Sequence, residues 1–330
     1  MTEHPVRKPF LTGLVEDLPA DLRGAVVAIG NFDGMHRGHQ AVLAAALAQA
    51  EAAGVPCLML TFEPHPRSVF QPDQPVFRLT PPAAKARLTA AFGLDGMIVN
   101  AFTREFAAES PAQFVEEVIV GSFAARHVVV GWDFHYGHRR SGTVDSLQAA
   151  GAAAGFGVTV VGPFEDEGGA VVSSSRVRAA LAAGDVGGAA GLLGYRWFFD
   201  GTVAHGDKRG RTIGYPTANI RTAPDFGLAH GIYAVFVQLD GARLPGVASF
   251  GRRPTFDNGA PVFETFLFDF AGDLYGKALQ VTPVSYLRPE LKFDGVDALV
   301  AQMDRDSAEA RAVLAATTPV SGLDLALADA

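Results

Sequence analysis

Two histidines, His36 and His39, are the residues best suited to chemistry in the first half of this sequence. They stand in a glycine-containing stretch at residues 30–39, where a β-branched run gives way to a helical pattern. A helix N-terminus has unpaired N–H donors and a partial positive charge, and Gly34 and Gly38 let a ligand approach the backbone closely. Histidines three residues apart face the same way on a first helical turn. These features predict a cradle for a polyphosphate.

Two simpler interpretations of this pair stay open. His36 and His39 could be solvated side chains on a capped helix that binds no ligand. A zinc site is the less favoured alternative, because no third ligand stands at a suitable spacing.

Three other segments of the first half could contact a substrate. Residues 173–178, Ser-Ser-Ser-Arg-Val-Arg, precede a helical pattern, so hydroxyl and guanidinium groups would gather where anions are favoured. Plain serine capping is the alternative there. Residues 62–66 and 132–137 each follow a predicted strand, which is where an α/β sheet binds its ligand. Taken alone, the aromatic residues Trp132, Phe134 and Tyr136 are more typical of packing.

A glycine-rich and basic stretch at residues 201–219 is the corresponding feature of the second half. Its composition does not suit a strand and fits a loop that wraps phosphates. Thr217 and Asn219 alternate with Ala218, so their side-chain oxygens would point the same way and supply hard ligands to Mg²⁺ beside a nucleotide. A Pro-Thr-Ala-Asn turn without a ligand is the alternative.

Glu264 is the candidate general base of the second half. Alternation along a predicted strand at residues 263–270 puts it on the same face as three phenylalanines. Such surroundings would desolvate the carboxylate and raise its pKa, which is the usual device for a base that works near neutral pH. The alternative is an ion pair with a nearby cation such as Arg252 or Arg253.

Composition narrows the class of protein. The chain has 330 residues, a length typical of two domains, and its net charge of −8 without a basic tail disfavours binding to nucleic acid. Cys57 is the only cysteine, which excludes a disulfide framework and a thiolate zinc cluster. No stretch has the length and hydropathy of a signal peptide or a membrane span. The sequence therefore predicts a cytoplasmic protein with no membrane partner, and it does not define the number of subunits.

Two common nucleotide-binding motifs are missing. No G-x-G-x-x-G follows the first predicted strand, and residues 272–278 are one residue short of a P-loop and lack its Ser or Thr. Dinucleotide dehydrogenases and P-loop ATPases are therefore disfavoured.

The elements that must position these residues alternate in the first half. Strands are predicted at residues 26–32, 57–63, 97–102, 127–134 and 158–164, with helices between them that include residues 38–53 and one that begins at Ser110. A repeated strand–helix–strand order predicts an α/β domain with a parallel sheet, whose ligand site lies at the carboxyl ends of the strands.

The second half changes to a period of two from about residue 195. Strands predicted at 231–239 and 243–250 flank Asp240-Gly241, a strong hairpin signal, and 263–270 and 279–287 form another antiparallel pair. A β-barrel or sandwich is expected, closed by a helix at 294–314 that has Val296 on its apolar side. The glycine-rich residues 184–194 would form the boundary region, with a helix as an alternative for part of them. Residues from 316 onward would form a loosely held tail.

Seven segments together resemble one family, the bacterial bifunctional riboflavin kinase and FAD synthetase, from about residue 11 to 314. They are, in chain order, 30–39, 61–66, 130–137, 173–178, 205–219, 251–256 and 263–277. The resemblance implies a Rossmann-like nucleotidyltransferase domain at residues 1–185 and an antiparallel β-barrel riboflavin kinase domain with a terminal helix at residues 186–330. It implies phosphorylation of riboflavin to FMN by ATP, and adenylylation of FMN by ATP to FAD and pyrophosphate.

The resemblance also implies roles for particular residues. Glu264 would deprotonate the ribityl hydroxyl of the flavin. His36 and His39 would bind the phosphates of ATP, and Thr217 and Asn219 would hold Mg²⁺ with ATP. The further ATP-binding residues that it implies are Gly30, Asn31, Phe32, Asp33, Gly34, Gly38, Ser173, Ser174, Ser175, Arg176, Arg178, Gly206, Lys208, Gly210, Gly214 and Pro216. The flavin-binding residues that it implies are Phe62, Pro64, His65, Pro66, Asp133, Phe134 and Arg252.

Three positions depart from the family pattern. The family usually has Thr at the position of Ser175, His at that of Phe266 and Asn near that of Ser249. Ser175 keeps a hydroxyl group, whereas the other two lie in the flavin-facing part of the kinase domain and bear on flavin affinity or specificity.

Two rival classes of protein are a kinase with a noncatalytic, nucleotide-sensing N-terminal domain and a flavin-storing protein without turnover. The presence of both His36 and His39 argues against the first rival, and the presence of Glu264 argues against the second.

Overall fold

The computed structural model describes residues 10–204, 215–223, 225–252 and 261–328, which form two compact units. The first unit takes the described residues up to Val76 together with Thr80–Ser173. The second unit takes Phe77–Leu79 and the described residues from Ser174 onward. Each unit has its own sheet.

The first unit is built on a six-stranded parallel sheet in the order β1-β4-β3-β2-β5-β6. Its strands are β1 Leu11–Leu14, β2 Val26–Ile29, β3 Cys57–Glu63, β4 Gly96–Ala101, β5 His127–Gly131 and β6 Gly157–Val161. The two central strands β2 and β3 are buried almost throughout, because helices cover both faces of a parallel sheet. This confirms the predicted α/β class.

The helices of the first unit begin and end where their capping residues stand. They are α1 Arg37–Ala53, α2 Pro66–Phe70, α3 Pro82–Phe92, a helix α4 that runs as Pro111–Gln113 and then in wider π turns as Phe114–Ser122, and α5 Val144–Ala154. Gly54 ends α1 with a left-handed backbone at φ 64°, and Ser110 caps α4 in a capping box with Gln113.

The second unit is built on a closed barrel in the order β10-β11-β8-β7-β12-β9, in which every pair is antiparallel. Its strands are β7 Phe199–Ala204, β8 Ala218–Arg221, β9 Gly231–Leu239, β10 Ala242–Arg252, β11 Pro261–Leu267 and β12 Ala278–Arg288. Asp240 and Gly241 both have positive φ, at 50° and 79°, as the predicted two-residue hairpin turn requires. The expected barrel is confirmed.

Among its described residues, the second unit also contains the helices α6 Ser174–Ala182, α7 Val186–Leu193, α8 Val296–Ala315 and α9 Gly322–Ala328. Helix α8 packs on β9, β10 and β12. Its Ala310 and Leu314 share a buried apolar cluster with Ala234, Val247 and Phe268. Helix α8 therefore closes one face of the barrel.

The sequence analysis placed the ends of four strands three residues too late. Strands β2, β5, β6 and β11 stop at Ile29, Gly131, Val161 and Leu267. Phe32 and Phe268 are buried but lie beyond the strands. The apolar pattern therefore extends further along the chain than the hydrogen bonds between strands.

Part of the glycine-rich residues 184–194 is helical, as the sequence analysis allowed. They contain α7, whose buried face includes Val186 and Leu193, because Asp185 caps it and accepts from Gly188 N.

Three further expectations about the second half were wrong. Residues 201–204 and 218–219, expected in a loop, lie in strands β7 and β8. Val296 is 58% exposed at the start of α8. The residues after 316 form α9, which is docked by Asp324.

Candidate active sites

The loop between β2 and α1 is shaped so that its backbone turns sharply before the helix begins. Phe32, Gly34 and Met35 have positive φ at 47°, 87° and 37°. His36 is the N-cap of α1, and its Nδ1 accepts a hydrogen bond from His39 N at 3.3 Å. The imidazole of His36 thus satisfies one of the free N–H groups at the helix start.

The rings of His36 and His39 stack with their centroids 3.7 Å apart, as the spacing predicts. Phe32 meets the ring of His39 edge-on at 5.3 Å. Within the part of the chain that the structure describes, Nδ1 of His39 is buried and has no hydrogen-bond partner. Burial, then His36 and then Lys85 hold the pKa of His39 well below its usual 6.5. The imidazole is therefore neutral at pH 7 and keeps a ring nitrogen available to a ligand.

Asp33 faces the interior of the loop. It is 2% exposed, and its Oδ1 accepts from Thr80 N at 2.9 Å and from Thr80 Oγ1 at 3.2 Å. Gly34 N in turn donates to Thr80 Oγ1 at 2.8 Å. Phe32 is buried as well, whereas the Asn31 side chain is exposed. The sequence analysis missed Thr80, which is 47 residues from Asp33.

The two segments predicted to contact flavin lie on either side of this loop. In the sheet β2 stands between β3 and β5, so the loop after β2 emerges between residues 62–66 and residues 132–137. Phe62 belongs to the apolar core and meets Phe102 and Phe106 at about 6 Å. Nδ1 of His65 accepts from Arg67 N at 3.2 Å and so caps α2, which begins at Pro66.

The segment after β5 is more open. Trp132 is 51% exposed and Asp133 is exposed, whereas Phe134 stacks on Tyr136 with centroids 5.6 Å apart. Tyr136 and Phe134 contribute to the core, as the packing interpretation expects. The exposed residues of this segment remain available at the carboxyl edge of the sheet.

The serine- and arginine-rich segment is divided between the two units. Ser173 ends the first unit, and Ser174 begins α6 of the second. Ser175 is exposed, Arg176 is half-buried, and Arg178 Nε donates to the carbonyl of Phe77 at 2.7 Å. The predicted placement at a helix start is confirmed.

A cavity of about 250 Å³ lies in the second unit, and Glu264 is in its wall. Glu264 pairs with Asn219 on β8 and with Ser249 on β10 in the strand register. Residues directly opposite in an antiparallel pair point to the same face, so Asn219 lies beside Glu264. Thr217 lines the same cavity, and Asn219 itself is 9% exposed.

Aromatic and apolar groups form the rest of this part of the wall. Phe266 lines the cavity with Glu264, as alternation predicts, and its ring lies 4.8 Å from that of Tyr215. The Tyr215 hydroxyl donates to Oδ1 of Asp304 on α8. Glu264 is half-buried, which is less desolvation than the sequence analysis expected, because the cavity reaches its side chain.

The lining of the cavity also includes an ion pair that the sequence analysis missed. Arg288 Nε and Nη2 donate to the two carboxylate oxygens of Asp306 at 2.8 and 2.6 Å. Asp306 is 4% exposed, and Gln302 Nε2 also donates to it at 2.8 Å. A bidentate pair of this kind holds the end of β12 against α8 beside the cavity.

Several predicted residues lie outside the described part of the chain. Gly206, Lys208, Gly210 and Gly214 are in this group, as is Arg253. Pro216 is described and exposed. Arg252 is exposed at the end of β10 opposite Pro261, three register positions from the Ser249–Glu264 pair, and it is not among the described residues that line the cavity.

No group of three or more His, Cys, Asp or Glu side chains suited to hold a metal ion occurs in the ranges that the structure describes. No described helix is long and apolar enough to cross a membrane. Burial raises the pKa of the Cys57 thiol to about 12, with Asp95 adding to the effect, so the cysteine is inert.

The two sites define the class of protein. One unit presents a helix N-terminus with two imidazoles at the carboxyl edge of a parallel sheet, which suits phosphate binding. The other unit is a closed barrel whose cavity sets a carboxylate beside an amide and a hydroxyl. The two sites together suit an enzyme that acts on phosphate-containing substrates.

Comparison with known proteins names the family. A family model described as FAD synthetase matches residues 18–176, and one described as riboflavin kinase matches residues 193–314. The bifunctional riboflavin kinase/FMN adenylyltransferase of Pseudomonas fluorescens is 41% identical over 302 residues, which are 91% of this chain and 96% of that protein. The protein of the same description from Listeria monocytogenes is 41% identical over 88% of this chain and 92% of its own length.

A solved structure agrees over most of the chain. The crystal structure described as a macrolide-efflux protein from Streptococcus pneumoniae has a TM-score of 0.81 and 31% identity, and covers 92% of this chain and 98% of that one. The chain therefore belongs to the family of bifunctional riboflavin kinase/FMN adenylyltransferases. It is an enzyme with a kinase and a nucleotidyltransferase activity, which convert riboflavin to FMN and FMN to FAD with ATP.

Proposed function

We propose that the loop between β2 and α1 is the site of adenylyl transfer. His36 and His39 would donate hydrogen bonds to the phosphates of ATP, beside the free N–H groups at the start of α1. The stacked rings and the lowered pKa of His39 support this role, because a neutral His39 can lie 3.7 Å from His36 without repulsion between two charged imidazoles. Further ATP contacts would come from the backbone of residues 30–34, from Gly38 and from the side chains of residues 173–176 and Arg178.

FMN would bind at the same edge of the sheet. Residue 62 near the end of β3 and residues 64–66 beyond it lie on one side of the nucleotide loop, and Asp133 and Phe134 after β5 lie on the other, because β2 stands between β3 and β5 in the sheet. The phosphate oxygen of FMN would attack the α-phosphorus of ATP, and pyrophosphate would leave. Positioning and charge neutralisation carry such a step, and no covalent nucleophile of the protein is needed.

The barrel cavity would hold riboflavin, with Glu264 as general base. Its carboxylate would take the proton of the ribityl hydroxyl as that oxygen attacks the γ-phosphorus of ATP. The observation that carries this proposal is the register of β8, β11 and β10, which puts Glu264 between Asn219 and Ser249 at the cavity wall. Arg252, predicted to contact flavin, lies at the end of β10 and remains a weaker candidate.

Enzymes of this kind use ATP with a divalent cation, and we assign Mg²⁺ to Thr217 and Asn219. The hydroxyl and amide oxygens are hard donors, and Mg²⁺ with a nucleotide needs only one or two protein ligands, because phosphates and water complete its shell. Bound there, Mg²⁺ would neutralise charge on the transferring phosphate. Asn219 lies opposite Glu264, so the cation and the base would share one wall of the cavity.

We assign adenylyl transfer to residues 1–185 and riboflavin phosphorylation to residues 186–330, in the cytoplasm. The two family models support this division, since they end and begin at residues 176 and 193. The compact units divide at Ser173 and Ser174, close to the same place.

The substitution Glu264→Gln tests the base. It keeps the shape of the side chain and removes the proton acceptor, so riboflavin phosphorylation should fall about 10²-fold to 10⁴-fold. The matched control is Glu309→Gln on the exposed face of α8, which should leave the rate unchanged. Near-normal FMN production by Glu264→Gln, with the fold checked by circular dichroism, would refute the assignment.

A further inference from the structure

A buried lysine lies beneath the nucleotide loop. Lys85 is on α3, and its side chain is 1% exposed. Buried lysines are rare unless their charge is paired. Its Nζ donates to the carbonyl of Asn31 at 2.9 Å, to Thr61 Oγ1 at 3.0 Å and to Glu63 Oε1 at 3.1 Å. The ammonium group thus links α3 to β3 and to the loop between β2 and α1.

Each of these acceptors belongs to a functional part of the first unit. Asn31 is in the loop that leads to His36, and Thr61 and Glu63 are at the carboxyl end of β3. Glu63 directly precedes the residues assigned to FMN. Lys85 therefore connects the nucleotide loop to the segment that begins the FMN contacts.

The Asn31 carbonyl is held twice. Besides Lys85, it accepts from Thr61 Oγ1 at 3.1 Å. The next residue, Phe32, has a φ of 47°, a backbone conformation that costs energy in a residue with a side chain. Such a turn persists only when its surroundings fix it, and these two hydrogen bonds fix the peptide that enters it.

We propose that Lys85 is a positioning residue for adenylyl transfer, which sets the distance between the ATP loop and the FMN segment through Asn31 and Glu63. The inference rests on the proposed function of this loop. Substrate cannot reach a side chain that is 1% exposed, so Lys85 acts through its partners. Transfer requires the attacking oxygen and the α-phosphorus to approach within roughly 3–3.5 Å, and a displacement of about 1 Å lowers the rate of such a step by about 10².

This role predicts a change in kcat rather than in KM. When the hydrogen bonds of Lys85 are removed, ATP and FMN each keep their own contacts with the protein. The two substrates are, however, no longer held at the reacting distance. Lys85→Met, which keeps the length of the side chain, should lower kcat for FAD formation about tenfold to a hundredfold. The KM values for ATP and FMN should change less than about threefold.

A second variant covers the case in which Lys85→Met does not fold. Thr61→Val has the same shape, is fully buried and removes one hydrogen bond each from Asn31 and Lys85. It should lower the same kcat about threefold to tenfold. The matched control is Thr89→Val, an equally buried threonine on α3 whose hydroxyl donates to the carbonyl of Lys85, and it should leave kcat unchanged.

The experiment measures kcat and both KM values for FAD formation from FMN and ATP in the full-length parent and in these variants, with riboflavin phosphorylation as the check that the chain is intact. A fall in kcat for Lys85→Met and Thr61→Val but not for Thr89→Val supports the proposal. A kcat within twofold of the parent in folded variants, or a loss confined to KM, overturns it. His39→Ala is assayed beside them: if that variant also keeps its activity, the proposed site fails, and if it alone loses activity, only the role of Lys85 fails.

Discussion

Single side chains set the charge of the nucleotide loop. His36 and His39 stack closely, and the pKa of His39 is lowered first by burial and then by the neighbouring His36 and Lys85. A neutral His39 can donate from one ring nitrogen while the loop stays compact. The positive potential that attracts ATP therefore comes from the start of α1 and from nearby cations rather than from a protonated His39.

The lowered pKa of His39 predicts a dependence of stability on pH. In the unfolded chain His39 takes up a proton near pH 6.5, whereas in the folded chain it does so only at lower pH, so its contribution to stability is lost as the pH falls below 6.5. The slope cannot exceed about 1.4 kcal/mol per pH unit for one proton. Urea unfolding of the parent between pH 7 and pH 5 should show a steeper loss of the free energy of unfolding than that of His39→Gln. Equal slopes would contradict the burial of a neutral His39.

The sequence predicts those residues of the candidate site whose chemistry follows from their type and from their spacing to near neighbours in the chain. His36, His39, Thr217 and Glu264 were found from local spacing, and the structure puts them at loops and cavity walls. Thr80 and Lys85 were not, because their roles depend on partners 47 and 54 residues away. No local pattern distinguishes a lysine that will be buried from one on the surface.

Among the elements, strands with a regular pattern were predicted closely. The structure gives β3 and β9 the predicted bounds, Cys57–Glu63 and Gly231–Leu239. Errors fall at strand ends where an aromatic residue turns back into the core. Phe32 does so before α1 and Phe268 after β11. The hydrophobic pattern indicates which residues are buried, but it does not indicate which residues form strand hydrogen bonds. Buried residues also occur in the loops that follow the strands.

The last helix, α9, could not be predicted because its stability comes from contacts with a distant segment. Asp324 is 8% exposed and accepts from Arg196 N at 2.8 Å, while it forms an ion pair with the Arg196 guanidinium. Arg196 Nη2 also donates to the Thr318 carbonyl, and Ser321 Oγ to that of Gly194. These bonds dock α9 beside the start of the barrel.

Removing the charge of Asp324 should therefore destabilise the second unit. Asp324→Asn leaves Arg196 without its buried partner charge, which costs about 2–3 kcal/mol of the free energy of unfolding for a pair that is nearly but not fully buried. Chemical denaturation followed by fluorescence measures this loss. The control is Asp269→Asn, which removes an exposed ion pair with Arg311 at 2.7 Å, and the transition should not move. An unchanged transition in Asp324→Asn would mean that α9 contributes no stability.

At the scale of the whole molecule, the chain does not pass once from one unit to the other. Phe77–Leu79 belong to the second unit, where Trp197 Nε1 donates to the Leu79 carbonyl at 2.9 Å and Phe77 meets the Trp197 ring edge-on. A domain boundary predicted from composition assumes that each domain is one continuous segment. Such a prediction cannot show that a short segment of the first half belongs to the second unit. The assignment of the activities to residues 1–185 and 186–330 remains a prediction.

The central claim is that one chain holds two separate catalytic sites, one that needs Glu264 and one that needs His39. The most direct measurement is chromatography of FMN and FAD after Glu264→Gln, His39→Ala and a mixture of the two are incubated with riboflavin, ATP and Mg²⁺. Glu264→Gln alone should leave riboflavin unconverted, and His39→Ala alone should stop at FMN, with FAD formation lowered about 10²-fold or more. The mixture should restore FAD, since each protein supplies the site that the other lacks. FAD formed by His39→Ala alone at the parental rate, loss of FMN formation in His39→Ala, or a mixture that forms no FAD would contradict two independent sites.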